Sequence, residues 1–310
     1  MQIRVEKRSK KSTDGTAERA SRGPFPLSLE LSDDASVQEL KAAIAKQAPK
    51  LTPERQRLTL DGQALLNDRR SLTDAGLRAG SVVQVKDLGP QVGWRTTFIC
   101  EYAGPLLANP LFYLFSRTVY GVDFTHSSLQ TLALIMFEAH FVKRLYETVF
   151  VHKFSNGTMP LLNLVKNTAY YTLLAGVSVG FWVYGPWYGA HDARSVRSPF
   201  ETYLAVGLFV FAEVSNYVTH ANLSNLRPPG TRVRKIPHGY GFDLVSCPNY
   251  TFEILAWVAF TYYTRSLAAL AFTLAGAGQM YVWAVKKHRN YRREFPDYPK
   301  NRKALIPFLL

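Results

Sequence analysis

The chain has 310 residues, 47% of them hydrophobic, and its 37 Lys and Arg against 23 Asp and Glu give a formal net charge of +14. The average hides two unlike parts: a polar head of roughly 90 residues, then apolar runs long enough to span a hydrocarbon core, which is the composition of a membrane protein with a soluble head. The positive excess sits in short segments abutting those runs, where Lys and Arg set membrane orientation, so nucleic acid is not an expected partner; the two cysteines, Cys100 and Cys247, offer neither a disulfide framework nor a zinc spacing.

Met1 to Val5 and Pro26 to Leu31 alternate apolar and polar residues as strands do. Asp33 to Pro49 reads as a helix, with Ser36 and Glu39 spaced as a capping box and Val37, Leu40 and Ile44 as its apolar stripe. A strand at Arg57 to Leu60, the turn Asp61-Gly62, the pair Leu65-Leu66 and a strand at Val82 to Val85 follow. This ββαββ order, with RLTLDGQALLNDRRSLTDAGLRAGSVVQV near its end, resembles ubiquitin-like β-grasp domains over residues 1–87. No diglycine tail follows, so a docking or stabilising module is expected and conjugation is not. Residues 88–95 read as a linker.

Six apolar spans are expected in 96–310, at about 96–116, 128–150, 168–186, 201–220, 251–265 and 267–285. The short break at Thr264 to Ser266 leaves five or seven open. The start MQIRVEKRSKKSTDG is too polar for a cleaved signal peptide, so the head is expected in the cytosol. Segments 151–167 and 221–250 and the tail then share its side, and they hold Lys153, Lys166, Arg227, Arg232, Arg234, Lys235 and the eight Lys and Arg from Lys286 to Lys303. The sequons at Asn156, Asn222 and Asn249 fall on that same side and are expected unmodified. Gly176 and Gly180 form a GxxxG suited to close helix packing.

Three constellations can carry chemistry. In FEAHFVKRLYETVFVHKFS, residues His140, Lys143, Arg144 and Glu147 share a helical face, with a snorkelling helix end as the structural alternative. The histidines lack the i,i+4 pairing of zinc proteases, so no metal is expected. In EVSNYVTHANLSNLRPPG, Asn216 and His220 lie one turn apart with Arg227 beyond, a set that can hold a carboxamide, ribose or phosphate. In CPNYTFEILAW, Pro248 starts a helix whose Asn249, Tyr250 and Glu253 gather at its mouth, while Trp257 is expected as an interfacial belt residue. No GxGxxG follows a strand and no P-loop occurs, so a bound nucleotide would lie outside a Rossmann or P-loop fold.

VSCPNYTFEILAW together with KKHRNYRREFPDYPKNRKALIPFLL is similar to the C-terminal signature of the steroid 5α-reductase family. With the β-grasp head, EYAGPLL at 101–107, HFVKRLYETVFVHKFS and SNLRPPG, the chain resembles the trans-2-enoyl-CoA reductase branch over essentially its whole length. The resemblance implies a mainly α, multi-span membrane domain behind the head. It further implies an endoplasmic-reticulum enzyme that uses NADPH to reduce a long-chain trans-2-enoyl-CoA, the last step of very-long-chain fatty acid elongation serving lipid and sphingolipid synthesis, alongside the other elongation enzymes. By motif, Tyr250 is the proton donor and Lys143 the other catalytic position; Asn216, His220, Arg227, Asn249, Glu253, His288 and Tyr291 line the cofactor pocket; Glu101 and Arg144 lie toward the substrate. Phe141 stands where steroid reductases have an aromatic acid, which argues against a steroid substrate and shifts the acid role to Tyr250. The alternatives are a sterol or polyprenol reductase of the same fold and a non-catalytic membrane scaffold whose head recruits partners.

Overall fold

A computed structural model of the chain describes residues 1–8, 24–154, 157–226 and 235–309. The described chain divides into two compact units, residues 1–93 with 157–162, and residues 94–156 with 163–310.

In the first unit, strands β1 (Gln2–Lys7), β2 (Leu27–Glu30), β3 (Gln56–Leu60), β4 (Gln63–Ala64) and β5 (Val82–Asp87) form one sheet in the order β2-β1-β5-β3-β4, with β1 and β5 parallel. Period-2 alternation turns Ile3, Val5, Leu27, Leu29, Leu58, Val83 and Val85 to one face, where helix α1 (Val37–Gln47) lays Val37, Leu40 and Ile44 against them. The capping box forms as expected: Ser36 Oγ accepts from the Glu39 N–H while the Ser36 N–H donates to Glu39 Oε2 at 2.6 Å. Asp61 and Gly62 have φ of 48° and 79°, the positive pair a two-residue hairpin loop demands, and they join β3 to β4. Gln56 is buried, and its amide donates to the Lys41 and Leu51 carbonyls at 2.8 Å each.

Residues 88–95 are more ordered than a linker. Strand β6 (Gln91–Gly93) pairs antiparallel with β7 (Thr158–Pro160), so a segment far along the chain completes the first unit. Three residues on each side, with no turn joining them, leave no local signal for such a pair.

The second unit is helical. Helix α2 (Trp94–Leu114) is followed by the short α3 (Ser116–Tyr120) and by α4 (Ser128–Tyr146), whose last turn widens into a π turn, Glu147–Val151. Helix α5 (Leu161–Ala169) runs through a ten-residue π segment, Tyr170–Val179, into α6 (Gly180–Val183), so this rod starts seven residues before the expected 168 and ends before 186. Helices α7 (Pro199–Asn225), α8 (Pro248–Thr264) and α9 (Leu267–Glu294) complete the unit, and Arg265 turns the chain between the last two with φ of 51°.

The six expected spans therefore correspond to six helical stretches, of which α7 and α9 are long and apolar enough to cross a membrane by length and composition. The others depart for visible reasons: α2 contains Arg95, Glu101 and two prolines, α4 carries a charged last half, the 161–183 rod changes its winding, and α8 has 17 residues. Aromatic and small residues fill the centre, with Phe137, Phe141, Tyr184, Phe260, Ala133, Ala175 and Ala212 fully buried. Gly176 lies against α2, where an added Cβ would come within 3.0 Å of Pro105 Cα, and Asn109 ties the two elements by donating to the Gly176 carbonyl and accepting from Tyr184.

Candidate active site

The charged end of α4 points inward. Helical spacing puts His140, Lys143, Arg144 and Glu147 on one face, and that face meets α7 and α8, so His140 and Glu147 are almost fully buried instead of reaching toward headgroups. His140 sits between two carboxylates, with Nδ1 2.7 Å from Glu213 Oε1 and Nε2 3.3 Å from Glu253 Oε1. Lys143 Nζ lies 2.7 Å from Glu213 Oε2 and 3.7 Å from Glu147 Oε1, and it donates to Asn216 Oδ1 at 2.6 Å. Arg144 pairs with Glu147 at 2.6 Å and donates to the Tyr102 hydroxyl at 2.6 Å. A buried ion pair holds only when its remaining valences are met, and here three carboxylates interleave with Lys143, Arg144, His140 and His220.

Beside this network lies a cavity of about 500 Å³, within the size range of small-molecule sites. Its wall includes Tyr250 and Asn249 from the start of α8, Arg144, His220, and Trp283, Lys286, Lys287, Asn290 and Tyr291 from α9. Pro248 occupies the first turn of α8, where its missing N–H costs nothing, and so delivers Asn249 and Tyr250 to the rim. Asn249 is 6% exposed, yet its Oδ1 has no hydrogen-bond partner; Arg144 Nε and Trp94 Nε1, in the same wall, are buried without one as well. Each such atom costs about 1–3 kcal/mol unless a ligand or water meets it, so three around one cavity mark a site built for a polar guest. His152 also lines the cavity; burial, helped by the positive charge of Arg144 and His220, pushes its imidazole down to about 3, so it is neutral at ordinary pH.

Of the residues singled out in the sequence, Arg144, His220, Asn249, Tyr250 and Tyr291 line the cavity together. Lys143, Asn216 and Glu253 lie in the buried network behind it, where the Asn216 amide donates to the Asn249 carbonyl at 2.8 Å and so braces the rim. Glu101 is buried and accepts from Asn167 at 2.8 Å, outside the cavity lining. His288 meets Ser246 Oγ at 2.6 Å, and the same hydroxyl meets Tyr298, whose ring stacks on Tyr291 at 5.3 Å. Arg227 lies outside the described residues. Tyr250 and Glu253 do not converge on one pocket as expected, because Glu253 turns to His140 while Tyr250 faces the cavity, its ring 6.4 Å from that of Trp283. Trp257 is no belt residue: it is 5% exposed and packs on Phe137, Phe141, Phe260 and Phe272.

Sequence reasoning missed Glu213, Tyr102 and the aromatic wall. Glu213 stands one turn before Asn216, a spacing that would have placed it on the same face, whereas Tyr102 meets Arg144 only through packing of α2 on α4. Glu147, His152 and His220 set a ligand atom each within 4.8 Å of one another, a possible metal group. Arg144 already serves that position: its guanidinium is 2.6 Å from Glu147 Oε2 and 3.3 Å from His220 Nδ1, so a second cation would meet repulsion there.

Residues 157–310 match the model of the 3-oxo-5-alpha-steroid 4-dehydrogenase family, and residues 25–86 that of the ubiquitin family. The chain is 45% identical to a very-long-chain enoyl-CoA reductase of Dictyostelium discoideum, over 91% of this chain and 95% of that one. It is 44% identical to a probable very-long-chain enoyl-CoA reductase of Caenorhabditis elegans, over 90% and 93% of the two chains. A human protein described as trans-2,3-enoyl-CoA reductase-like is 34% identical over 90% of this chain and 78% of its own length.

Proposed function

The chain belongs to the family of the very-long-chain enoyl-CoA reductases, and on that premise we propose that it reduces the 2,3 double bond of long-chain trans-2-enoyl-CoA thioesters with NADPH, closing each round of fatty acid elongation at the endoplasmic reticulum membrane. The single observation that carries the reading is the cavity into which Tyr250 and Asn249 open, with Lys286 and Lys287 of α9 in its wall. When bound, the dinucleotide supplies the hydride. The orphaned carbonyl oxygen of Asn249 suits a carboxamide N–H, and the lysines suit phosphates, so the residues present fit that cofactor.

The chain's own part is to orient, to exclude water and to move one proton. Tyr250 gives its hydroxyl proton to Cα of the thioester. An unperturbed phenol has a pKa near ~10, so efficient donation needs positive charge close by. Arg144, Lys286 and Lys287 share the cavity wall with Tyr250 and supply it. Lys143 acts through the network: gripping Glu213 and Asn216, it holds the helix α7 face that braces Asn249.

The outer faces of the helices support a membrane-resident reading. Phe200, Tyr203 and Phe211 on α7 and Leu267, Leu274 and Val282 on α9 are exposed, a surface too apolar for water. With the basic segments on one side, the head and tail are cytosolic and all six helical stretches lie in the bilayer.

The test is consumption of NADPH by the purified chain with a long-chain trans-2-enoyl-CoA. Tyr250→Phe is expected to lower kcat by about 10²–10⁴-fold, the usual worth of a positioned general acid, while dinucleotide affinity is kept. A normal rate in that variant removes Tyr250 as the acid, and no reduction by the parent chain removes the reaction itself.

A further inference from the structure

A reductase of this kind must hold two adenosine phosphates at once, one from the dinucleotide and one from the acyl-CoA. The residues assigned so far to the dinucleotide come from α7, α8 and α9. Another stretch of the cavity wall is made by Trp94 and Phe98 of α2 and by His152, Lys153 and Phe154 beyond the π turn, and it has no assigned role.

That wall has the composition of a nucleotide platform. Trp94, Phe98 and Tyr102 recur every four residues on one face of α2, so their rings stack: Trp94 on Phe98 at 5.7 Å and Phe98 on Tyr102 at 5.7 Å. Phe154 joins the stack, 5.6 Å from Phe98 and inclined by 16°. The inner end of the ladder leads to Arg144, whose guanidinium lies 4.8 Å over the Tyr102 ring. At the outer end, Lys153 is exposed and donates to the Ser224 carbonyl at 3.0 Å, which holds its ammonium at the rim. Trp94 contributes a buried indole N–H with no acceptor.

Flat aromatic faces take a purine by stacking, an ammonium takes a phosphate, and an indole N–H takes a ring or ribose acceptor. Simple core packing accounts for the stacked rings but not for the unmet N–H or for a lysine fixed beside them. We propose that Trp94, Phe98, Phe154 and Lys153 form the subsite for the adenosine phosphate of the acyl-CoA, an inference that rests on the enoyl-CoA reading above. The thioester arm then runs inward along the aromatic ladder toward Arg144 and Tyr250, while the dinucleotide keeps the α9 side.

The experiment is titration calorimetry of the full chain in detergent with CoA, pantetheine and NADPH, on the parent and on Lys153→Gln and Phe154→Leu, paired with rates on long-chain trans-2-enoyl-CoA and the matching N-acetylcysteamine thioester. Each variant is expected to weaken CoA by about tenfold, the order of one lost stacking or phosphate contact, leaving NADPH and pantetheine affinities and the rate on the truncated thioester as they were. Because Lys153 is exposed, its variant tests the subsite even if Phe154→Leu does not fold. Weakened NADPH with CoA unchanged assigns the platform to the dinucleotide and overturns the proposal, as does CoA binding unaltered in both variants. Those outcomes leave the reaction standing if the parent reduces enoyl-CoA; a parent that neither binds CoA nor reduces its thioester overturns both.

Discussion

His152 shows what a single buried side chain implies for solution behaviour. Its folded-state pKa of about 3 lies below the ~6.5 of an unfolded histidine, so the unfolded chain takes up the proton first as pH falls. Its contribution to stability is therefore complete above pH ~6.5 and declines through the window down toward 3. Thermal unfolding in detergent should accordingly show a smaller loss of Tm between pH ~6.5 and ~4.5 for His152→Gln than for the parent chain. Equal slopes would mean that the imidazole is solvated. At this scale the sequence was informative where a contact is set by helical spacing, as for Lys143 with Glu147. It was silent where partners come from different helices. Nothing in the neighbourhood of Glu253 says that it will face His140 and leave the cavity to Tyr250.

Elements were legible in proportion to how local their causes are. Helix α1 is announced by Ser36 and Glu39, and the β3–β4 hairpin by Asp61-Gly62, because capping and positive φ act within four residues. The β6–β7 pair and the π winding of 170–179 depend on what packs against them and leave no such mark. The helix-packing reading of Gly176 and Gly180 makes a prediction at this level. A Cβ at Gly180 would lie 2.8 Å from Phe112 Cδ2, and at Gly176 3.0 Å from backbone, so α2 and the 161–183 rod have no room to adjust. Gly176→Val should lower the stability of the helical unit by about 1–3 kcal/mol through overpacking. Gly207→Ala in α7, with nothing within 4 Å of the added Cβ, should be neutral or gain up to about 1 kcal/mol of helix propensity. Denaturation of both variants in the same detergent checks the pair, and equal destabilisation would show that Gly176 sits at no close contact in solution.

For the whole molecule, sidedness is the property on which the proposed chemistry depends, because NADPH and CoA are both phosphorylated and cannot cross the bilayer to reach Tyr250. Under the proposed topology, six crossings return the tail to the side of the head, and the basic residues 286–303 favour the cytosolic side for it. The turn before α4 then faces the lumen. Asp123 there is exposed and pairs with exposed Arg117 at 3.3 Å, so replacing it costs little; Asp297 in the tail is exposed too. In sealed microsomes, with Cys100 replaced by Ser, a membrane-impermeant maleimide should label Asp297→Cys directly and Asp123→Cys only after the membrane is opened, with Cys247 buried and therefore quiet in both. The sequons at Asn156, Asn222 and Asn249 should stay unglycosylated. Labelling of Asp123→Cys before permeabilisation, or a glycan on Asn156, would put the cavity's lysines on the wrong side for their phosphates and would require the crossings to be redrawn.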